Sequence, residues 1–214
     1  MTRKQSRQLS AFMHVSVDGY YCDAKGDMSF AHKSADDREW NEFVAGNAAG
    51  GGVLVFGRVT YEMMAAWWPT PMAAQAMPEV AAQMNALPKV VFSRTLGEAE
   101  WSNTTLVKDD LAGTIRRMKS ESGPNMTILG SGSVLIQLAE AGLVDVIQVV
   151  VNPIGLGAGK SLFAGLKAPL NFTLTKSRPF GNGSVGLWYA AGRQTDPGGA
   201  SWSPTAPNRI AFSG

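Results

Sequence analysis

The chain has 214 residues, 45% apolar and 17% charged, with a formal net charge of +2. That length suits one ordinary domain able to bury a core without disulfide staples. A near-neutral balance offers no basic footprint for nucleic acid, and there is no apolar run of membrane-spanning length.

The single cysteine, Cys22, cannot close an internal disulfide, so a reducing, cytoplasmic setting is expected. No signal-peptide-length apolar run follows the basic start MTRKQSRQLSAF. The Arg116-Arg117-Met118-Lys119 cluster reads as a solvated helix face.

Residues 9–17 (LSAFMHVSV) are apolar and partly alternating, which predicts a strand ended by the turn pair Asp18-Gly19. His14 falls inside that strand and reads as structural. Ser34 is expected to cap a helix with Asp36, Asp37 and Glu39 in its first turn and Trp40, Phe43 and Val44 on its apolar face. That helix is expected to stop near Gly46. Residues 53–56 (VLVF) read as a strand buried on both faces. Gly57-Arg58 then turns the chain, and Thr60 caps a helix holding Tyr61, Met63, Met64 and Trp67.

Residues 73–86 have helical spacing, with Pro78 interrupting or starting a helix. Strands follow at residues 89–92 (KVVF) and 104–107 (TTLV), and a helix at 109–120 with Asp109 as its cap. Residues 126–129 (MTIL) form a strand, followed by Gly130-Ser131-Gly132-Ser133 and a helix through Ala141 ended by Gly142. Residues 144–151 are rich in β-branched side chains, and residues 172–176 and 184–189 alternate as an antiparallel pair. Strands alternate with helices and a hairpin closes the chain. This predicts an α/β fold of three layers: a mixed, mostly parallel sheet, helices on both faces, and the antiparallel hairpin at one side. Residues 1–192 make the domain. Residues 193–214, rich in Pro, Gly, Ser and Thr, make a tail whose Trp202, Ile210 and Phe212 could dock on a neighbouring surface.

Three places repeat one pattern, an apolar strand running into a turn of Gly, Ser, Thr or Arg: VLVF-GRVT, KVVF-SRT and MTIL-GSGS. Ligands collect at the carboxyl ends of strands in open α/β sheets, and helix N-termini favour phosphate. Glycine admits close backbone approach, and arginine matches phosphate oxygens with a planar fork. Gly57, Arg58 and Thr60 thus form one candidate phosphate seat, Ser93, Arg94 and Thr95 a second, and Gly130, Ser131, Gly132 and Ser133 a third contact. Two basic seats and a glycine turn suit a dinucleotide with an extra 2′-phosphate. The GLGAGKS loop lacks P-loop spacing because Ile154 stands where the first glycine belongs. A dinucleotide GxGxxG fails at Leu135.

The motifs VSVDGYY, VLVFGRVTYE, KVVFSRTL and ILGSGSVLIQLAEAGLVDVIQVVVNPIGLGAGKSLF, in that order, resemble the dihydrofolate reductase-like proteins. The resemblance is strongest to the bacterial group sharing the RibD C-terminal-like domain of the riboflavin-pathway reductase, and it covers residues 9–191. It implies NADPH binding and hydride transfer to a small heterocyclic, carbonyl or imine substrate, like the riboflavin-pathway 5-amino-6-(5-phosphoribosylamino)uracil reductase. It implies phosphate contacts at Gly57, Arg58 and Thr60, 2′-phosphate contacts at Ser93, Arg94 and Thr95, and pyrophosphate and nicotinamide contacts at residues 130–133. Pro153 and Gly157 match a PxxxG loop at the far side of the pocket. The metal-ligand pattern of a deaminase is missing, and no metal is expected.

Asp18 is the first candidate for proton donor, and Trp67, with Trp68, Met63, Met64 and Met72, is a candidate wall for a flat substrate ring. A homodimer is expected from the resemblance, with residues 146–151 or the tail as possible interface. A non-catalytic NADPH-binding or sensor protein on the same fold is the alternative function.

Overall fold

The computed structural model describes residues 7–34 and 36–192. The expected tail, with its docking residues, lies outside them. Strands β1 (Leu9–Ser16), β3 (Val53–Gly57), β4 (Lys89–Phe92), β5 (Thr104–Val107), β6 (Met126–Leu129), β7 (Val146–Asn152), β9 (Phe172–Pro179) and β10 (Val185–Ala191) form an eight-stranded sheet in the order β5-β4-β3-β6-β1-β7-β10-β9. Neighbours from β5 through β7 pair in parallel, while β7–β10 and β10–β9 are antiparallel. This is the predicted mixed sheet with its closing hairpin. A separate two-stranded ribbon pairs β2 (Tyr20–Asp23) with β8 (Gly159–Ser161).

Alternation along the strands makes the layers. Leu9, Ala11, Met13 and Val15 of β1, with Val53 and Val55 of β3, pack against Val134, Leu135 and Leu138 of α6 (Gly132–Glu140) and Ile115 of α5 (Leu111–Ser120). The opposite face gives Leu54, Phe56 and Val91 to Tyr61 of α2 (Arg58–Trp67) and to Val80 and Met84 of α4 (Pro78–Ala86). On that same side, Trp40 and Phe43 of α1 (Arg38–Ala49) pack on Val150 and Phe180. The short α3 (Pro71–Ala76) precedes α4, and Pro78 starts α4.

Several helix boundaries differ from the sequence reading. Asp37, not Ser34, caps α1: its carboxylate accepts from the Trp40 amide, while Ser34 Oγ accepts from the Asp36 amide one turn earlier. The helix runs through Gly46 to Ala49, because Gly46 tolerates a helical interior and the chain leaves the helix at Gly51 and Gly52, both at positive φ. Asp110, not Asp109, caps α5 from a left-handed conformation (φ 50°), its side chain accepting from the Gly113 amide. Gly57 precedes α2, so Thr60 lies inside its first turn instead of capping it. Strand β7 is hydrogen-bonded on both sides and offers no edge for a dimer interface. Among the described residues, no helix is long and apolar enough to cross a membrane.

Candidate active site

Parallel pairing brings the carboxyl ends of β4, β3, β6, β1 and β7 to one edge of the sheet. The turns after these strands carry Ser93-Arg94, Gly57-Arg58, Gly130-Ser131, Val17-Asp18 and Pro153. Almost every site residue expected from sequence therefore gathers on one rim.

The two helix starts on this rim are welded together. The Gly57 amide donates to Ser131 Oγ at 3.0 Å, and that hydroxyl donates on to Leu129 O at 3.2 Å. Thr60 Oγ1 donates to Gly130 O at 3.2 Å. Ser131 and Thr60 are buried, so their hydroxyls serve as ties between β3–α2 and β6–α6. What remains for a ligand is the backbone: neither α2 nor α6 has a side-chain cap, so no capping side chain takes the first amides of either helix. Gly130 sits at φ +63°, and an added Cβ would meet Thr60 Cγ2 at 3.3 Å, so glycine serves the turn on both counts. Gly132 has a different reason to be glycine. The Tyr21 ring of β2 fills its Cβ space, with Cε1 2.9 Å from where a Cβ would stand.

The cationic groups lie outward. Arg58 is exposed and pairs with Glu62 at 2.8 Å. Arg94 and Thr95 are exposed beyond β4. Ser93 Oγ accepts from the Thr95 and Leu96 amides at 3.2 and 2.9 Å, fixing the SRT turn without a helix behind it. Ser133 is exposed on the first turn of α6.

Asp18 has another role than the one expected. Its carboxylate accepts from Ser16 Oγ at 2.6 Å, from Leu156 N at 3.1 Å and from Gly157 N at 2.7 Å. These donors favour the charged form, the Ser16 hydroxyl most, and hold the pKa at about 2. An ionised carboxylate so engaged is a poor proton donor near neutral pH. Asp18 thus anchors the β7–β8 loop, Pro153 and Gly157 included, to the end of β1. Gly157 adopts φ +72°, a left-handed backbone that glycine accepts without strain.

Trp67 also moves out of the site. Helix α2 starts at the rim and carries Trp67 roughly 13 Å away at about 1.5 Å per residue. Its neighbour Trp68 accepts at its backbone oxygen from Asn85 Nδ2 at 3.0 Å, near the amino end of β4. The apolar groups exposed at the rim are Val17, Val59 and Ile154. The Val17 amide donates to Ile154 O at 2.8 Å, which joins two of them.

Sequence reasoning missed Ser16, Tyr21, Lys33 and Asn152. Asn152 is buried at the end of β7, its Nδ2 donating to Val15 O and Val150 O, and its Oδ1 accepts from Lys33 Nζ at 2.9 Å. An asparagine ending a β-branched strand was the available signal.

Comparison with known proteins agrees with this architecture. The model of the RibD C-terminal domain family matches residues 7–185. The uncharacterized protein YyaP of Bacillus subtilis (strain 168) is 25% identical over 185 residues, covering 86% of this chain and 95% of its own. A crystal structure of a protein provisionally named for riboflavin biosynthesis, from Shewanella sp. PV-4, superposes with a TM-score of 0.68 at 23% identity, covering 87% of this chain and 99% of that one. Dihydrofolate reductase from Enterococcus faecalis, in complex with NADP(H), superposes with a TM-score of 0.54 at 16% identity, covering 86% and 96%. The fold is thus one that reductases use.

Proposed function

The chain belongs to the RibD C-terminal domain family, and from that premise we propose that it is an NADPH-dependent reductase of a small heterocyclic, carbonyl or imine substrate. The observation that carries this reading is the pair of uncapped helix starts on adjacent strands, locked side by side by Gly57–Ser131 and Thr60–Gly130. Two fixed amide clusters of positive dipole suit two linked phosphates. In this reading the helix-start backbone at residues 58–60 and 131–133 holds the pyrophosphate, with Arg58 beside it, while the Gly57 and Gly130 amides are engaged by Ser131 Oγ and Phe12 O. Arg94, Ser93 and Thr95 hold the 2′-phosphate that separates NADPH from NADH. The apolar rim of Val17, Val59 and Ile154 suits a flat ring laid over the end of β1. The bound dinucleotide supplies hydride, and the protein supplies position and charge.

The reading includes a small-molecule substrate; the single cysteine supports a reducing, cytoplasmic setting, and the family resemblance supports a homodimer, which a light-scattering mass would test. Two measurements test the central reading. NADPH should raise the melting temperature more than NADH at equal concentration, as linkage requires of a native-state ligand. NADPH oxidation should then follow with at least one member of a panel of pterins, pyrimidines, quinones, cyclic imines and aldehydes. Absence of any NADPH-induced shift would remove the cofactor and the reading with it.

A further inference from the structure

A C=N or C=O reduction at this rim needs a proton as well as a hydride, and the Asp18 carboxylate is engaged as an anchor. Lys33 is half-buried in the loop before α1. Its ammonium donates to Asn152 Oδ1 at 2.9 Å and to Phe30 O at 3.4 Å, and stands 5.8 Å from the centre of the Trp40 ring. Asn152 is held by Val15 O and Val150 O, so its oxygen is committed to Lys33. Asn152 ends β7 and pairs in register with Ser16, the last residue of β1. The ammonium therefore stands at the carboxyl edge of the two strands that flank Val17 and Ile154.

Its charge is poorly compensated. Among the described residues the ion pairs are Arg58–Glu62, Lys119–Asp145 and Arg178–Glu39, none of which includes Lys33. Asp37 has both oxygens engaged, one by the Trp40 amide and one by Asn182 Nδ2. His14 faces Lys33 from β1; burial first, then the Lys33 and His32 charges, hold its pKa near 4, so at neutral pH it is uncharged. Burial lowers the Lys33 pKa from the ordinary lysine value, with Asp37 pulling the other way. A desolvated ammonium on neutral acceptors gives up a proton more readily than one in water.

We propose that Lys33 is the proton donor of the reduction, an inference that rests on the reductase reading above. As the carbon of a substrate C=N or C=O receives hydride from the dihydronicotinamide, the π pair moves to the nitrogen or oxygen, which takes a proton from the Lys33 ammonium. One N–H bond of Lys33 breaks, and a C–H and an N–H or O–H bond form. NADPH is oxidised to NADP⁺, the substrate is reduced, and the Lys33 amine regains its proton from solvent.

The test compares the full-length wild type with Lys33→Met and Lys33→Arg. The NADPH-induced rise in melting temperature should be the same in all three. On the panel above, Lys33→Met should lower kcat about 100-fold or more with the KM for NADPH unchanged, in the range general acids contribute. The alkaline fall of the wild-type kcat should disappear in Lys33→Met and move to higher pH in Lys33→Arg. A readout free of turnover uses protein reductively methylated with ¹³C. The one lysine resonance missing from Lys33→Arg should titrate below the exposed lysines and move on adding NADP⁺. Unchanged kcat in Lys33→Met with the NADPH shift intact overturns the donor assignment and leaves the reductase reading standing. Loss of the NADPH shift in Lys33→Met alone makes Lys33 a cofactor contact and also overturns it, as does a wild type that binds NADPH yet oxidises it with nothing on the panel. A wild type without any NADPH shift overturns the reductase reading itself.

Discussion

The Gly57 amide donates to Ser131 Oγ at 3.0 Å across 74 residues of sequence. The same hydroxyl donates to Leu129 O, so one buried side chain sets the spacing of two helix starts on neighbouring strands. Ser131→Ala strands the Gly57 amide and removes a partner of the Leu129 carbonyl. Stability should fall by about 1–3 kcal/mol, the cost of a buried polar group left unpaired, read by urea unfolding. NADPH should also lose affinity, because the two amide clusters are no longer held in register. A variant with normal stability and normal NADPH binding would show that the backbone keeps this spacing unaided.

Asp18 gives a pH signature. Its native pKa is depressed from 3.8 to about 2. The folded state therefore holds fewer protons than the unfolded chain between those values, and stability falls as pH drops through that window. Asp18→Asn cannot lose a charge there, so the wild-type excess of stability over the variant should shrink between pH 4 and pH 2 and be constant above it. Acid unfolding curves of both proteins check this. A turnover profile that loses a limb near neutral pH in Asp18→Asn would restore the proton-donor role.

Arg94 and Arg58 should separate by cofactor. Arg94→Ala should weaken NADPH about 10- to 100-fold and NADH little, since a charge-assisted bond to phosphate contributes about 1.5–3 kcal/mol and about 1.4 kcal/mol is tenfold. Arg58→Ala should weaken both alike, because the pyrophosphate is common to them. Its effect should be the smaller one, because Arg58 already spends part of its charge on Glu62. Calorimetric titration of each variant with each dinucleotide reads the difference, and equal losses for Arg94→Ala would place that residue elsewhere.

The sheet could be read from sequence because its strands are short apolar runs, such as VLVF and MTIL, set between turn residues. The rim followed, since parallel strands end together. The caps slipped by one to three positions where acceptable residues stand in a row: Ser34, Asp36 and Asp37 before α1, Asp109 and Asp110 before α5. Ribbon β2–β8 escaped because strands of four and three residues carry no periodicity, and their pairing is fixed across the whole fold. Trp67 was misplaced because hydrophobic spacing shows which face of a helix is apolar but not which end meets the ligand. The anchoring contacts of Asp18 are hidden from sequence because its partners include the amides of Leu156 and Gly157, and a backbone donor leaves no mark in the residue types. The Lys33–Asn152 contact is hidden for a related reason: Asn152 is brought to the end of β1 only through the β1–β7 pairing.

Lys89 provides a control that separates stability from the site. It begins β4 at the amino edge of the sheet, away from the rim, and is 1% exposed. Its Nζ donates to Asn85 O at 3.2 Å, Leu87 O at 2.7 Å and Ser102 O at 3.1 Å, and stands 4.4 Å from the centre of the Trp101 ring. The ammonium thus gathers the end of α4 and the loop before β5 around one charge. Lys89→Met keeps the apolar stem but leaves three carbonyls without this donor and removes the cation from the indole face. The expected loss is about 3 kcal/mol, within the range for breaking buried charged hydrogen bonds. Arginine should not rescue it, since a planar fork cannot reach three converging carbonyls as a compact ammonium does. At temperatures where Lys89→Met is still folded, its NADPH affinity should equal that of the wild type, because nothing it touches lies at the carboxyl edge. Chemical unfolding gives the first quantity and calorimetry the second. A loss of affinity without a loss of stability would tie the two edges of the sheet together in a way this packing does not provide.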